Sequence, residues 1–143
     1  MELSPEVIKK ISDSFAAQSM MKTMAVEIVK IDSGHVTLSS PILEGCRQQQ
    51  DFGHAALTFA LGDTAAGYAA LSVMPEDMEV LTAEIKINLL APAAGNRLRA
   101  EGRVIKPGRR LVVVQSDVYA ETEAGEKHIA VLTGTMVPVP TNN

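Results

Sequence analysis

Residues 54–74 read HAALTFALGDTAAGYAALSVM, the longest apolar stretch of the chain, and Pro75 follows it directly. About 20 apolar residues are long enough to span a membrane. This stretch, however, is rich in Ala, Gly and Thr and carries a carboxylate, Asp63, near its middle. A central carboxylate costs roughly 3 kcal/mol in a bilayer. The stretch is therefore predicted to be a long helix buried at the centre of a folded domain.

Segments with helix or strand patterns lie on both sides of this predicted helix. Ser4 and Pro5 are typical of a helix start, and apolar spacing predicts an amphipathic helix over about 4–20. Six runs are typical of strands: 24–31, 35–40, 78–90, 97–105, 110–121 and 127–137. This order predicts an α+β domain in which an antiparallel sheet wraps one helix and the last four strands form a meander.

One of these runs, 78–90, alternates apolar and polar side chains. Leu81 and Ala83 are expected on the face that also carries Ile85. Thr82 is expected on the opposite, polar face, together with Asn88.

Length and composition restrict the class of protein. The chain has 143 residues, which predicts a single domain over 1–143 with a core from about 22 to 139. A net charge of −4 and few aromatic residues disfavour nucleic acid and anionic membranes as partners. The N terminus does not resemble a signal peptide, and the single cysteine, Cys46, allows no intrachain disulfide, so we expect a cytoplasmic location. The three histidines are far apart in the sequence, and no metal site is predicted.

Asp63 is the most informative residue, because it is the only charged group of the 54–74 stretch apart from His54. Its helical neighbours are small or apolar and include Ala66 and Gly67. The carboxylate should therefore be desolvated, which suits a base or a nucleophile. The alternative is a structural carboxylate paired with Lys86 or an arginine.

The start of the predicted helix offers a second chemical group. His54 either marks a helix terminus whose free N–H groups stabilise an oxyanion, or simply caps the helix. Ala55, whose N–H would be the donor, lies about 12 Å from Asp63 along one helix. A reacting carbonyl and its attacking group meet within about 3.5 Å. Two antiparallel helices across a two-fold axis can meet this condition, so a site shared in a dimer is predicted.

The ordered series of residues resembles a known family. Gln48-Gln49 and the run from His54 to Gly67 are similar to the HGG…LADTA signature of PaaI-like hotdog thioesterases. The similarity continues over 82–93, Gly95, 106–109, Thr133 and Thr135, and covers roughly residues 20–138. It implies a hotdog fold, with a central helix wrapped by a curved antiparallel sheet that continues across a dimer. It also implies an acyl-CoA thioesterase, dimeric or tetrameric, in which CoA is part of the substrate and no cofactor is required.

The resemblance also implies roles for individual residues. Asp63, nine positions after His54, corresponds to the nucleophile or general base. The Ala55 amide would polarise the thioester carbonyl, Gln48 would orient the carbonyl or the water, and Thr82 would assist the water. Residues that would contact the CoA nucleotide are Lys106, Gly108, Arg109, Arg110 and Asn88.

Two departures and two alternative functions accompany this resemblance. Ala55 and Ala56 replace the family's Gly-Gly, and Gly67 stands where some members have Ser or Thr. The first alternative is a non-catalytic acyl-CoA-binding module in which Asp63 is structural. The second is a hotdog dehydratase of hydroxyacyl thioesters, which needs an acid and a base within one pocket. Arg109 and Arg110 can also be an ordinary solvated pair of charges, and the sequence does not indicate the acyl group.

Overall fold

The computed structural model describes residues 2–141 and confirms the long helix and the six strands. In chain order, the elements are α1 (Pro5–Ala16), α2 (Ser19–Thr23), β1 (Glu27–Asp32), β2 (His35–Pro41), a 3-10 turn (Glu44–Cys46), α3 (Ala55–Leu71), β3 (Met78–Leu89), β4 (Arg97–Lys106), β5 (Val112–Thr122) and β6 (Gly125–Pro140). Within the described part of the chain, no helix is long and apolar enough to cross a membrane.

The six strands form one antiparallel sheet in the order β1-β2-β4-β5-β6-β3. The predicted meander is correct for β4, β5 and β6 but wrong for β3, which pairs with β6 and forms an edge of the sheet. Residues 90–96 lead from β3 to β4, and the Leu90 N–H donates to the Ile129 carbonyl on the way (2.8 Å). Gly95 has φ +85°, and a Cβ there would lie 2.4 Å from the Glu121 carbonyl oxygen, so this path requires glycine.

The central helix α3 packs against β2, β3, β4, β5 and β6. The approach is close: a Cβ at Gly102 would lie 2.3 Å from the backbone of Ala65, and one at Gly62 would lie 2.6 Å from Leu132. The Ser116 hydroxyl donates to the Gly62 carbonyl across this contact (2.7 Å). The helix is rich in Ala and Gly because larger side chains would force it away from the sheet. A long helix wrapped by one antiparallel sheet is the hotdog arrangement that the resemblance implies.

The N-terminal helix starts as predicted but ends early. The Ser4 hydroxyl accepts the Val7 N–H at 3.3 Å. The predicted helix over 4–20 is instead divided into α1 and α2, with Gln18 in an extended conformation between them. Gln18 donates to the Tyr68 hydroxyl at 2.6 Å. Because the break is held by a contact with α3 and neither Gly nor Pro marks it, local sequence gives no signal for it.

Candidate active site

The start of α3 presents a backbone donor with no partner. His54 is the N-cap, and its Nδ1 accepts the Ala56 N–H at 2.9 Å, so the capping interpretation of this histidine is correct. The His54 carbonyl accepts the N–H groups of Leu57 and Thr58. Among residues 2–141, no acceptor faces the Ala55 N–H. This donor therefore lies free at the positive end of the helix dipole, where an anionic oxygen is stabilised.

Gln48 lies in the tight loop that precedes this helix. Its Oε1 accepts the N–H groups of Gln50 and Phe52, the first at 2.5 Å and the second at 3.4 Å. Because the oxygen is held by the loop, the side-chain NH₂ is the group left to donate. Gln48, His54 and Ala55 line one open cleft of about 450 Å³, together with Thr58 and Leu89. We call this the amide cleft.

Asp63 lies in a second, smaller cleft of about 200 Å³, the carboxylate cleft, whose lining includes Gly67, Tyr68 and Thr82. The Thr82 hydroxyl donates to Asp63 Oδ1 at 2.8 Å. The Asp63 side chain is half-buried, so a single chain desolvates the carboxylate only in part. Its second oxygen makes no hydrogen bond in the described chain, so it remains available to a substrate or a water.

A β-bulge brings Thr82 to Asp63. The pairing of β3 with β6 shifts between Thr82, which pairs with Met136, and Glu84, which pairs with Thr135. Because Met136 is fully buried beneath α3, Thr82 faces the helix. The sequence prediction placed Thr82 on the face opposite Ile85, and this is wrong, because the extra residue Ala83 reverses the alternation. Leu81, predicted to share the apolar face with Ile85, is instead 57% exposed.

The residues predicted to contact CoA lie in two separate places. The exposed residues of the β4–β5 turn include Lys106, Gly108, Arg109 and Arg110. None of the three basic side chains has an ion-pair partner among residues 2–141. The turn borders a cleft of about 450 Å³ that Met78 also lines. Asn88 lies near the other end of β3, on the outer face with its pairing partner Val131. Ten residues of strand separate Met78 from Asn88, about 33 Å. One chain therefore does not bring Asn88 to the basic turn.

A charge network on the outer face of the sheet went unpredicted. Glu101 accepts hydrogen bonds from Thr37 (2.5 Å) and His35 (2.7 Å) and is also paired with Arg99. Arg99 forms two further bonds of 2.9 Å to Glu126. Partial burial raises the pKa of Glu101, but the hydrogen bonds from Thr37 and His35 and the charge of Arg99 outweigh it and hold this pKa below 4.5. The network lies on the opposite side of the sheet from α3 and both clefts.

Sequence reasoning also missed three residues that line the same cleft as Asp63. The Tyr68 hydroxyl is bonded to Gln18 and lies 3.0 Å from Ser14 Oγ, and all three residues line the carboxylate cleft. The sequence signal that could have indicated this cluster is Tyr68, a tyrosine within an Ala-rich helix. No group of three His, Cys, Asp or Glu side chains within the described residues is arranged to hold a metal ion.

The amide cleft and the carboxylate cleft lie at different positions along the axis of α3, which is one uninterrupted helix. Ala55 begins α3, and Asp63 follows eight residues later, so the amide and the carboxylate are about 12 Å apart along the axis. The long helix wrapped by one antiparallel sheet defines a hotdog-fold protein. Residues 52–126 match the thioesterase superfamily, and the chain belongs to that family.

Solved structures agree with this assignment. A thioesterase family protein from Silicibacter pomeroyi is 38% identical, with 94% of this chain and 99% of that chain covered and a TM-score of 0.92. The E. coli PaaI protein shows the same fold at 20% identity, with 99% of both chains covered and a TM-score of 0.85. The BH2602 protein from Bacillus halodurans, solved with CoA, also shows this fold at 24% identity, with 96% and 93% covered and a TM-score of 0.78.

Proposed function

We propose that the protein is an acyl-CoA thioesterase that works as a dimer, or as a tetramer of two dimers, with each active site built from two subunits. The observation that carries the proposal is the division of the site. The unpaired Ala55 N–H and the Asp63–Thr82 pair occupy different clefts on one rigid helix. Neither cleft alone holds both an oxyanion donor and an attacking group.

The chain has a surface suited to the missing half. β3 is a twelve-residue edge strand, and Leu81 and Leu89 on it are more than half exposed. A long apolar edge strand is a template for pairing with another chain. Beside it, α3 exposes a face of small residues that includes Ala60 and Gly67. Two copies can therefore pair β3 with β3 and pack α3 against α3, which makes one sheet continuous across the dimer.

Antiparallel pairing also unites the separated parts of the predicted site. Phe59 is midway between Ala55 and Asp63, so a two-fold axis beside it sets Ala55 of one chain against Asp63 of the other. An axis through the middle of β3 sets Met78 against the Leu89 end of the partner strand. The basic turn beside Met78 then adjoins the partner's amide cleft. CoA bound along this path has its phosphates near Arg109 and its thioester at the Ala55 amide.

The chemistry follows from these positions. The Ala55 N–H, at the positive helix end, stabilises the carbonyl oxygen as it gains negative charge. Gln48 donates to the same oxygen or to water. Asp63 of the other subunit, held by Thr82, attacks the carbonyl carbon or takes a proton from the water that attacks it. If Asp63 attacks, the C–S bond breaks, the CoA thiolate takes a proton and leaves, and water then hydrolyses the anhydride between Asp63 and the acyl group to a free carboxylic acid. If water attacks, breakage of the C–S bond gives the CoA thiol and the free acid directly.

Subunit complementation tests the shared site directly. Ala55→Pro removes the donor, and Asp63→Asn removes the basic oxygen, so each pure variant should be nearly inactive. Each mixed dimer has one site with both groups intact. After random exchange of equal amounts, half of the dimers are mixed, and the mixture should regain about a quarter of wild-type thiol release. A mixture as inactive as its parents would show that each chain carries its own complete site.

The same assay separates the alternative functions. A binding module would bind acyl-CoA without releasing thiol, and Asp63→Asn would change nothing. A dehydratase would convert hydroxyacyl thioesters into enoyl thioesters without releasing thiol. Hydrolysis requires thiol release that depends on Asp63.

A further inference from the structure

The carboxylate cleft contains a pair of hydroxyl groups besides the Asp63–Thr82 pair. The hydroxyl oxygens of Tyr68 on α3 and Ser14 on α1 lie 3.0 Å apart, and both residues line the cleft. Tyr68 is only 4% exposed, and Gln18 donates to its hydroxyl oxygen at 2.6 Å. The mechanism proposed above assigns these groups no role.

The hydroxyl pair has one more hydrogen than its own bonds use. Tyr68 and Ser14 each carry one O–H hydrogen, and the bond between them uses one of the two, whichever group donates. Within residues 2–141, neither hydroxyl donates to any other acceptor. Buried polar groups are satisfied by the protein or by ordered water. Because both residues line the carboxylate cleft, the remaining hydrogen requires water in that cleft.

The polar lining of the cleft continues from Tyr68 to Asp63. Thr64 also lines the cleft; it follows Asp63 directly and lies one turn before Tyr68 on the same side of α3. The second oxygen of Asp63 accepts no hydrogen bond in the described chain, and Glu79 adds another carboxylate to the lining. A volume of about 200 Å³ has room for roughly six waters at about 30 Å³ each. A donor near Tyr68 and an acceptor at Asp63 therefore orient a chain of waters between them.

We infer that the carboxylate cleft holds an ordered chain of waters between Tyr68 and Asp63, and that this chain places the water that hydrolyses the thioester. The inference rests on the proposed thioesterase function and concerns the route in which water attacks. Tyr68 is a positioning residue, because its hydroxyl acts through water. The hydrogen bond from Gln18 polarises this hydroxyl and makes its O–H a stronger donor.

The water nearest Asp63 is the nucleophile. It gives one proton to the free carboxylate oxygen while its own oxygen forms a bond to the carbonyl carbon. The C–S bond then breaks, and the proton passes from Asp63 to the CoA sulfur, so the products are the carboxylic acid and the thiol. The next water of the chain takes the vacated position.

Tyr68→Phe removes the hydroxyl and keeps the ring, which packs edge-on against Phe15. Loss of this hydrogen bond should lower kcat about fivefold to tenfold, with KM and the affinity for S-ethyl-CoA, a thioether that is not hydrolysed, unchanged. Tyr119→Phe is the matched control, because it removes the same atom from the only other tyrosine of the chain, whose ring lies 4.5 Å from the Arg99 guanidinium on the outer face of the sheet. It should leave kcat unchanged. A kcat for Tyr68→Phe within twofold of wild type would overturn the inference.

A purely structural role of Tyr68, as an anchor for α1, predicts a different pattern. Lys10 is a second anchor of α1, since its ammonium donates to the Glu76 carbonyl at 2.7 Å. Lys10→Met should lower the melting temperature and leave kcat unchanged. If kcat falls in proportion to the melting temperature in both Lys10→Met and Tyr68→Phe, Tyr68 is only an anchor and the inference is wrong.

Subunit complementation shows which chain supplies the acting Tyr68. In the mixed dimer of Ala55→Pro and Asp63→Asn chains, the intact site takes Asp63, and with it the carboxylate cleft, from the Ala55→Pro chain. Tyr68→Phe added to that chain should lower the recovered thiol release by the same factor as in the pure variant. The same change added to the Asp63→Asn chain should leave the recovery unchanged.

Equal losses from either chain, or a loss from neither, would overturn the inference. A mixture that recovers no activity at all would refute the shared site instead. In that case, the comparison of Tyr68→Phe with Tyr119→Phe would still decide whether Tyr68 positions the water.

Discussion

Replacing Ala55 with proline removes one hydrogen-bond donor and little else. Ala55 is the first residue of α3, where proline is well tolerated. His54, at φ −64° and ψ 144°, already has the extended conformation that a following proline requires. Because the Ala55 N–H has no acceptor within residues 2–141, the substitution breaks no hydrogen bond there. Stability should therefore stay level or rise by up to about 1 kcal/mol, since proline restricts the unfolded chain.

Catalysis should respond very differently. Loss of one oxyanion donor costs about 10²- to 10³-fold in kcat, so thiol release by Ala55→Pro should fall by that factor while the melting temperature holds. Ala55→Gly is the matched control, because it keeps the N–H and should stay within a few-fold of wild type. Turnover by Ala55→Pro close to that of wild type would refute the assignment of this amide as the oxyanion donor. A large drop in melting temperature would refute the argument that the N–H is unpaired.

Three further predictions concern the groups around the site. Arg109→Glu should raise KM for CoA thioesters but not for short pantetheine thioesters, and equal losses on both would indicate a structural turn. Thr82→Val should lower kcat about tenfold with KM little changed, because it removes the hydrogen bond to Asp63, and thiol-release kinetics would show whether both hold. Because the folded-state pKa of Glu101 is lowered, its stabilising contribution is present above pH 4.5 and is lost as the pH falls through the folded value. Glu101→Gln should thus lower the melting temperature at pH 7 more than at pH 3, and an equal effect at both would contradict this.

The sequence predicts the elements well because their signals are local. The 54–74 stretch has helical length and ends before a proline, and the strand runs are bounded by turn residues such as Gly34 and Gly108. The position of β3 in the sheet is not a local property. It depends on pairing with β6, more than forty residues further along the chain. Alternation alone therefore suggested a meander that the structure replaces with an edge strand.

The orientation of Thr82 shows the same limit at the scale of one residue. The bulge beside it lies where Gly134 of β6 comes so close that a Cβ would sit 2.6 Å from the Glu84 carbonyl oxygen. Nothing within 78–90 marks this irregularity. The resemblance to known thioesterases nevertheless selected Thr82, since it carries information about the folded site that alternation lacks.

The partial exposure of Asp63 suggests that its catalytic role depends on dimer formation. Leu81, on the free edge of β3, is the position at which this dependence can be tested. A carboxylate in the middle of an apolar helix was expected to be desolvated, yet in a single chain it is half-buried beside a free strand edge. If a second β3 covers that edge, the partner also covers Asp63, and desolvation becomes a property of the dimer.

Leu81→Lys places a charge on the exposed edge of β3. Natural sheets use lysine on edge strands to prevent them from pairing with another chain. Leu81 is 57% exposed, so the chain should still fold, but it should sediment as a monomer and lose at least about 10² in turnover. Val29→Lys is the control, because Val29 is 60% exposed on β1 at the opposite edge and should remain dimeric and active. A folded Leu81→Lys monomer with full activity would mean that one chain supplies the amide, the carboxylate and the dry environment by itself.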